Sequence, residues 1–126
     1  MAELNKTNTL QLTPVDQHVL VEKDGHVLTV TLNRPEAKNA FSPSMLVKMN
    51  DAWDQVDEDP EIRVAILTGA GGVFCAGADL KAMNDTQTED ADAKRFRADT
   101  GMTWRALLRH RQLTKPLIAA VEGHAV

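Results

Sequence analysis

A chain of 126 residues is one domain or part of one. Its 14 Lys and Arg against 18 Asp and Glu give a net charge of −4. That offers no support for a nucleic-acid partner, because neutralising phosphates needs a basic surface. The single cysteine, Cys75, rules out an internal disulfide, and no apolar run reaches the length of a membrane span. The expected setting is a soluble cytoplasmic protein with no membrane partner.

Residues 1–16 read as a loose leader, rich in Asn, Thr and Gln, without period and without the apolar stretch of a secretory signal. Val19 to Leu32 reads as a hairpin. Val19–Glu22 is one arm, and Lys23-Asp24-Gly25-His26 is a turn with the Asp-Gly pair that type I′ turns favour. In the second arm Leu28, Val30 and Leu32 alternate with Thr29 and Thr31, a half-buried strand. His18 and His26 are expected in solvent. The polar loop 33–40 leaves that strand. Its Arg34 and Lys38 either meet an anionic ligand or lie in an ordinary solvated connection.

A helix follows, with Ser42 as N-cap and Pro43 at its first position. Met45, Leu46, Met49, Ala52, Trp53 and Val56 share one face at helical spacing, which marks a core stripe. The acidic run Asp57-Glu58-Asp59 lies at the unfavourable end of the helix dipole and is expected in water. Val64–Thr68 is an apolar, β-branched strand. Strand, helix and strand make a β-α-β unit with parallel strands, so the fold class is α/β.

Past that strand comes Gly69-Ala70-Gly71-Gly72, which does not match a dinucleotide fingerprint. Ligands of parallel sheets bind at the carboxyl ends of the strands, so residues 69–79 are where a site belongs. Gly71 and Gly72 turn the chain and Phe74 re-enters the core. Cys75, Ala76, Gly77 and Ala78 are four small residues in a row, which leaves their backbone N–H groups open to a ligand. Asp79 is a good N-cap for a short turn, Leu80 to Met83. Backbone donors at such a place can stabilise negative charge on an oxygen. A tight turn of small residues packed for its own sake is the plain alternative. Cys75, between Phe74 and Ala76, reads as a small buried hydrophobe.

Asn84 to Asp92 reads as an acidic, mobile surface loop. Ala93 to Leu113 reads as a long helix, with Gly101 as a point of kink or break. Arg105, Arg109, His110 and Arg111 near its end are expected on a solvated face. Leu117–Val121 reads as another buried strand, and Glu122-Gly123-His124 begins a new turn. A domain closes its core before its terminus, so the expectation is that 17–126 is the front part of a longer domain.

Three blocks carry a family resemblance: LTVTLNRPEAKNA from Leu28, VAILTGAGGVFCAGADLK from Val64, and KPLIAAVEGHA from Lys115. In order and spacing the chain resembles the N-terminal part of the crotonase superfamily, the enoyl-CoA hydratase/isomerase family, over residues 17–126. The resemblance implies a spiral of ββα units, assembled as a homotrimer or a hexamer. It implies that Ala78 N–H is one donor of an oxyanion hole. Ala37, Lys38, Ala76, Ala78, Asp79, Leu80 and Lys81 would line the channel for an acyl-CoA thioester. No cofactor is implied, since coenzyme A is part of the substrate, and no metal.

The activity implied for the intact chain is that of an enoyl-CoA hydratase, a lyase that adds water across the 2,3 double bond. The resemblance puts the acid/base glutamates beyond Val126, so this stretch alone is expected to be inactive. An enoyl-CoA isomerase, a non-catalytic acyl-CoA-binding homologue and a structural or interaction protein remain as alternatives.

Overall fold

Two antiparallel strands, β1 (Val19–Asp24) and β2 (Val27–Leu32), open the fold in a computed structural model that describes residues 12–85 and 90–126. Their pairing runs from Val19↔Leu32 to Asp24↔Val27, which leaves Gly25-His26 as the whole loop. Gly25 sits at φ +60° and His26 has no positive φ, so the glycine occupies the first central position, as in a type II′ turn. The expected Asp-Gly turn is therefore displaced by one residue, because Asp24 keeps its place in the ladder. Leu28, Val30 and Leu32 are fully buried, and Thr29 and Thr31 are partly so.

Helix α1 (Pro43–Glu58) begins where the cap signals place it. Ser42 Oγ accepts the Met45 N–H at 3.2 Å, and Pro43 follows it. Met45, Leu46, Met49, Ala52, Trp53 and Val56 are all buried in the core against β2. Strand β3 (Val64–Gly69) pairs parallel with β2, and β4 (Leu117–Ala120) pairs parallel with β3. The sheet order is β1-β2-β3-β4. The β-α-β unit with parallel strands is thus present.

Several expectations change. His18 is buried rather than solvated. Its Nε2 donates to Thr13 O at 2.8 Å, and Nδ1 is buried with no partner among the described residues. Thr13 in turn gives its N–H and hydroxyl to the Glu36 carboxylate, at 2.9 and 3.0 Å. Of the loose leader expected over 1–16, residues 1–11 lie outside the described residues, and Thr13 is tied down.

Asp57 does not point freely to water. It accepts from the N–H and hydroxyl of Thr114, each at 2.9 Å, and from Arg111 at 3.0 Å. Arg111 is only 16% exposed and also pairs with Asp54 at 2.7 Å. Lys115 Nζ donates to Val56 O and Asp59 O. The last carbonyls and carboxylates of α1 need donors, and the segment entering β4 supplies them.

The long helix is two: α3 (Ala91–Ala98) and α4 (Met102–Ala106), after a short α2 (Leu80–Met83). Asp99 Oδ1 accepts the Gly101 N–H at 3.0 Å and breaks the run, as Asp does in local turns. Beyond α4 the chain leaves helical geometry at Leu108, φ +58°. The acidic loop is shorter than expected, since Asp90 caps α3 by accepting from Asp92 and Ala93, and Asp92 pairs with Lys48 at 2.7 Å. Residues 86–89 of that loop lie outside the described residues. Strand β4 is not buried: Ile118 and Val121 beside it are 54% and 53% exposed. It lies at the edge of the sheet and packs chiefly on β3.

Candidate functional site

Beyond β3 the chain reverses through Gly71 and Gly72, both near φ +80°. A side chain at Gly69 would meet the Val73 and Phe74 carbonyl oxygens at 2.4 and 2.6 Å, so the return path lies directly on the strand end. Phe74 packs against the core and Cys75 is buried. Burial pushes the Cys75 thiol up, and its Sγ faces Asn39 O at 3.3 Å. It is a packing residue, as its neighbours predict.

Residues 75–79 then run between two other segments. On one side Cys75 N–H donates to His124 O at 3.0 Å, and Val126 N–H donates to Cys75 O at 2.9 Å. On the other side Ala76 N–H donates to Lys38 O at 3.1 Å. Phe41 N–H donates to Gly77 O at 2.8 Å, and Asp79 N–H donates to Phe41 O at 2.9 Å. This is a parallel bridge between Phe41 and Ala78. In such a bridge the groups flanking Ala78 bond to Phe41, while Ala78's own N–H and C=O face the opposite way. Ala78 is exposed, and among the described residues no acceptor meets its N–H.

Asp79 caps α2, with Oδ1 accepting the Ala82 N–H at 3.0 Å. Its Oδ2 accepts from Arg34 Nη1 at 2.7 Å. Arg34 also reaches Ala40 O at 3.4 Å. The guanidinium read as a candidate for an anionic ligand is thus engaged inside the protein, where it ties the first loop to the cap. The Ala82 N–H, foremost, holds the Asp79 carboxyl below the usual range; burial opposes this, and Arg34 adds to the lowering.

A carboxyl depressed by folding stabilises the fold above its unfolded value of about 4 and loses that contribution as pH falls through the folded value. Asp79→Asn is therefore expected to cost about 1.5–3 kcal/mol at neutral pH, the worth of a hydrogen bond to a charged group. The gap between the two thermal melts should close as pH falls below about 4. A gap that stays constant down to acid would remove Asp79 ionisation from the stability of this loop.

Of the expected site residues, Ala76 meets Lys38 through its N–H, and Ala78 and Asp79 lie beside Phe41. Ala76, Ala78 and Leu80 are exposed, and Lys38 and Lys81 are exposed cations near them in the chain path. Ala37 ends the turn Pro35–Ala37 that presents Lys38 at φ +53°. An open cleft of about 550 Å³ lies beside the cap, lined by Arg34, Asp79, Lys81, Ala82 and Asp85. The arrangement offers a backbone donor that meets no acceptor among the described residues, on an exposed segment. Such a donor can stabilise charge developing on an oxygen.

The family model described as "Enoyl-CoA hydratase/isomerase" matches residues 22–126. The chain belongs to the enoyl-CoA hydratase/isomerase family. Within the family it is 56% identical over 107 residues to enoyl-CoA hydratase EchA19 of Mycobacterium tuberculosis, covering 85% of this chain and 40% of that protein. It is 42% identical over 109 residues to the (E)-benzylidenesuccinyl-CoA hydratase of Thauera aromatica, covering 86% and 40%.

Crystal structures of enoyl-CoA hydratases agree. That from M. tuberculosis superposes with a TM-score of 0.66 at 45% identity, covering 84% of this chain and 38% of that one. That from Bacillus anthracis gives 0.66 at 35% identity, covering 85% and 40%. The fold is the crotonase fold that the resemblance implies. The chain spans about 40% of the length of the curated relatives it matches.

Asn39 went unread in the sequence, although it is fully buried beside the site. Its one signal was indirect: Asn tolerates positive φ better than other side chains, and it sits at a loop end facing a glycine-rich turn.

Proposed function

We propose that the protein is an enoyl-CoA hydratase, adding water to a 2-enoyl-CoA thioester, with the oxygen to C3 and the proton to C2. One observation carries the reading. Ala78 is exposed and its N–H meets no acceptor among the described residues, on a segment fixed from both sides by backbone hydrogen bonds. As water adds at C3, negative charge moves to the thioester oxygen. A fixed donor aimed there stabilises the transition state more than the ground state. The hydratase names of the relatives at 56% and 42% identity support the same reaction.

In this reading Lys38 and Lys81 are cations for the phosphates of coenzyme A, and Ala37, Ala76, Asp79 and Leu80 shape the channel between them and Ala78. The substrate brings its own coenzyme A, so the reading calls for no separate cofactor. The assembly would be a homotrimer or a hexamer in the cytoplasm, the size being open to sedimentation.

The test is crotonyl-CoA hydration by the whole protein, followed as loss of the enoyl-thioester absorbance. A steady loss with formation of 3-hydroxyacyl-CoA is the expected result. Absence of turnover with short, medium and long enoyl-CoA would sink the reading, and double-bond migration without hydration would replace it by an isomerase.

A further inference from the structure

We propose that Asn39 is the residue that positions the oxyanion donor; this rests on the reading of Ala78 above. Asn39 is 0% exposed and stands at φ +56°. Every polar atom of its side chain is used. Oδ1 accepts the Arg34 N–H at 2.8 Å, and Nδ2 donates to Ala70 O at 2.9 Å and to Val73 O at 2.8 Å. Its backbone N–H donates to Arg34 O at 3.0 Å, and its carbonyl faces Cys75 Sγ at 3.3 Å. The buried side-chain amide thus joins the 34–40 loop to both ends of the glycine-rich return, and the Asn39 backbone carbonyl meets the first residue of the 75–79 segment.

The consequence reaches Ala78 through its neighbours. Lys38 O takes the Ala76 N–H, and Phe41 brackets Ala78 through Gly77 and Asp79. Lys38 belongs to the loop that Asn39 anchors, and Phe41 lies two residues past Asn39. Asn39 itself is fully buried, and removing its amide hydrogens leaves the part-buried Ala70 and Val73 carbonyls without their donor, which is costly. Without those hydrogens the return from Gly69 to Phe74 and the 34–40 loop lose their mutual register, and Ala78 N–H moves relative to a bound thioester. A misplacement near 1 Å costs on the order of 100-fold in rate.

Asn39→Asp is the closest substitution in shape. It keeps an acceptor for Arg34 N–H but turns two donors into a carboxylate facing two carbonyls. Asn39→Gly keeps the left-handed backbone and removes only the side chain. Both are expected to lower kcat about 100-fold in the folded whole protein, a larger change than in the affinity for free coenzyme A, which has no thioester oxygen.

A second readout does not depend on turnover. The carbonyl carbon of bound, carbonyl-labelled acetyl-CoA should show a downfield NMR shift in the wild type, and that shift should shrink in both variants. If the wild type shows the shift and the variants lose it while no hydration occurs, the hydratase reading fails and the positioning role stands. Folded variants that retain kcat and the carbonyl shift would overturn the role. So would variants that fail to fold at all, since that would make Asn39 a residue of the fold alone.

Discussion

Ala78→Pro is expected to lower kcat/KM for enoyl-CoA hydration by at least about 10²–10³-fold, the cost of one lost oxyanion donor. Proline removes the N–H and fixes φ at about −65°. Ala78 has no positive φ, so a proline ring meets no left-handed backbone. No acceptor among the described residues loses a bond, because Ala78 N–H has none to give up. The preceding residue is Gly77 at φ +101°, where the steric restriction that proline places on its predecessor meets no Cβ. The Phe41 bridge runs through Gly77 O and Asp79 N, so it survives the change. The expected signature is a near-normal melt with the chemistry gone. Circular dichroism and thermal melting check the first part, and the crotonyl-CoA assay checks the second. A folded Ala78→Pro protein with retained activity would exclude this donor.

The sequence made the scaffold legible where one local signal had one physical meaning. Ser42-Pro43 caps α1 as read, and its apolar stripe is the core, because helical spacing leaves a buried face few other arrangements. Leu28, Val30 and Leu32 are buried for the same reason at strand spacing. The small-residue run before Asp79 leaves Ala76 and Ala78 exposed, since missing side chains uncover backbone.

What stayed hidden were groups whose partners are far away in sequence. Arg34 and Asp79 are 45 positions apart, and Asp57 and Thr114 are 57 apart. Charged residues look alike in a sequence whether water or a buried partner satisfies them. His18 looked solvated because its burial depends on Thr13 folding over it. Asn39 is a further case, since two of its three side-chain bonds reach Ala70 and Val73, 31 and 34 positions away, which only the tertiary fold brings to it.

Trp53→Ala should do the opposite of Ala78→Pro: it should remove stability and leave the chemistry of each folded molecule intact. Trp53 is among the largest fully buried side chains, at 0% exposure in the core that α1 shares with β2. Its Nε1 donates to Ala106 O at 2.8 Å, which pins the end of α4 onto α1. Truncation to alanine opens a cavity, and such changes cost about 3–5 kcal/mol. The Ala106 carbonyl also loses its donor.

Against a total of about 5–15 kcal/mol for a domain, this is a large fraction, and a sharply lower melting temperature is expected. Trp53→Phe separates the two contributions. It keeps much of the apolar volume and leaves the carbonyl unpaired, a loss of about 1–3 kcal/mol. Trp53 lies about three helical turns beyond Ser42, while the link from α1 to the site runs through Phe41 at the other end. Activity corrected for the folded fraction should therefore stay near the wild-type value in both variants. A fall in that corrected kcat would show that the core around α4 helps to hold the Phe41 bridge in place.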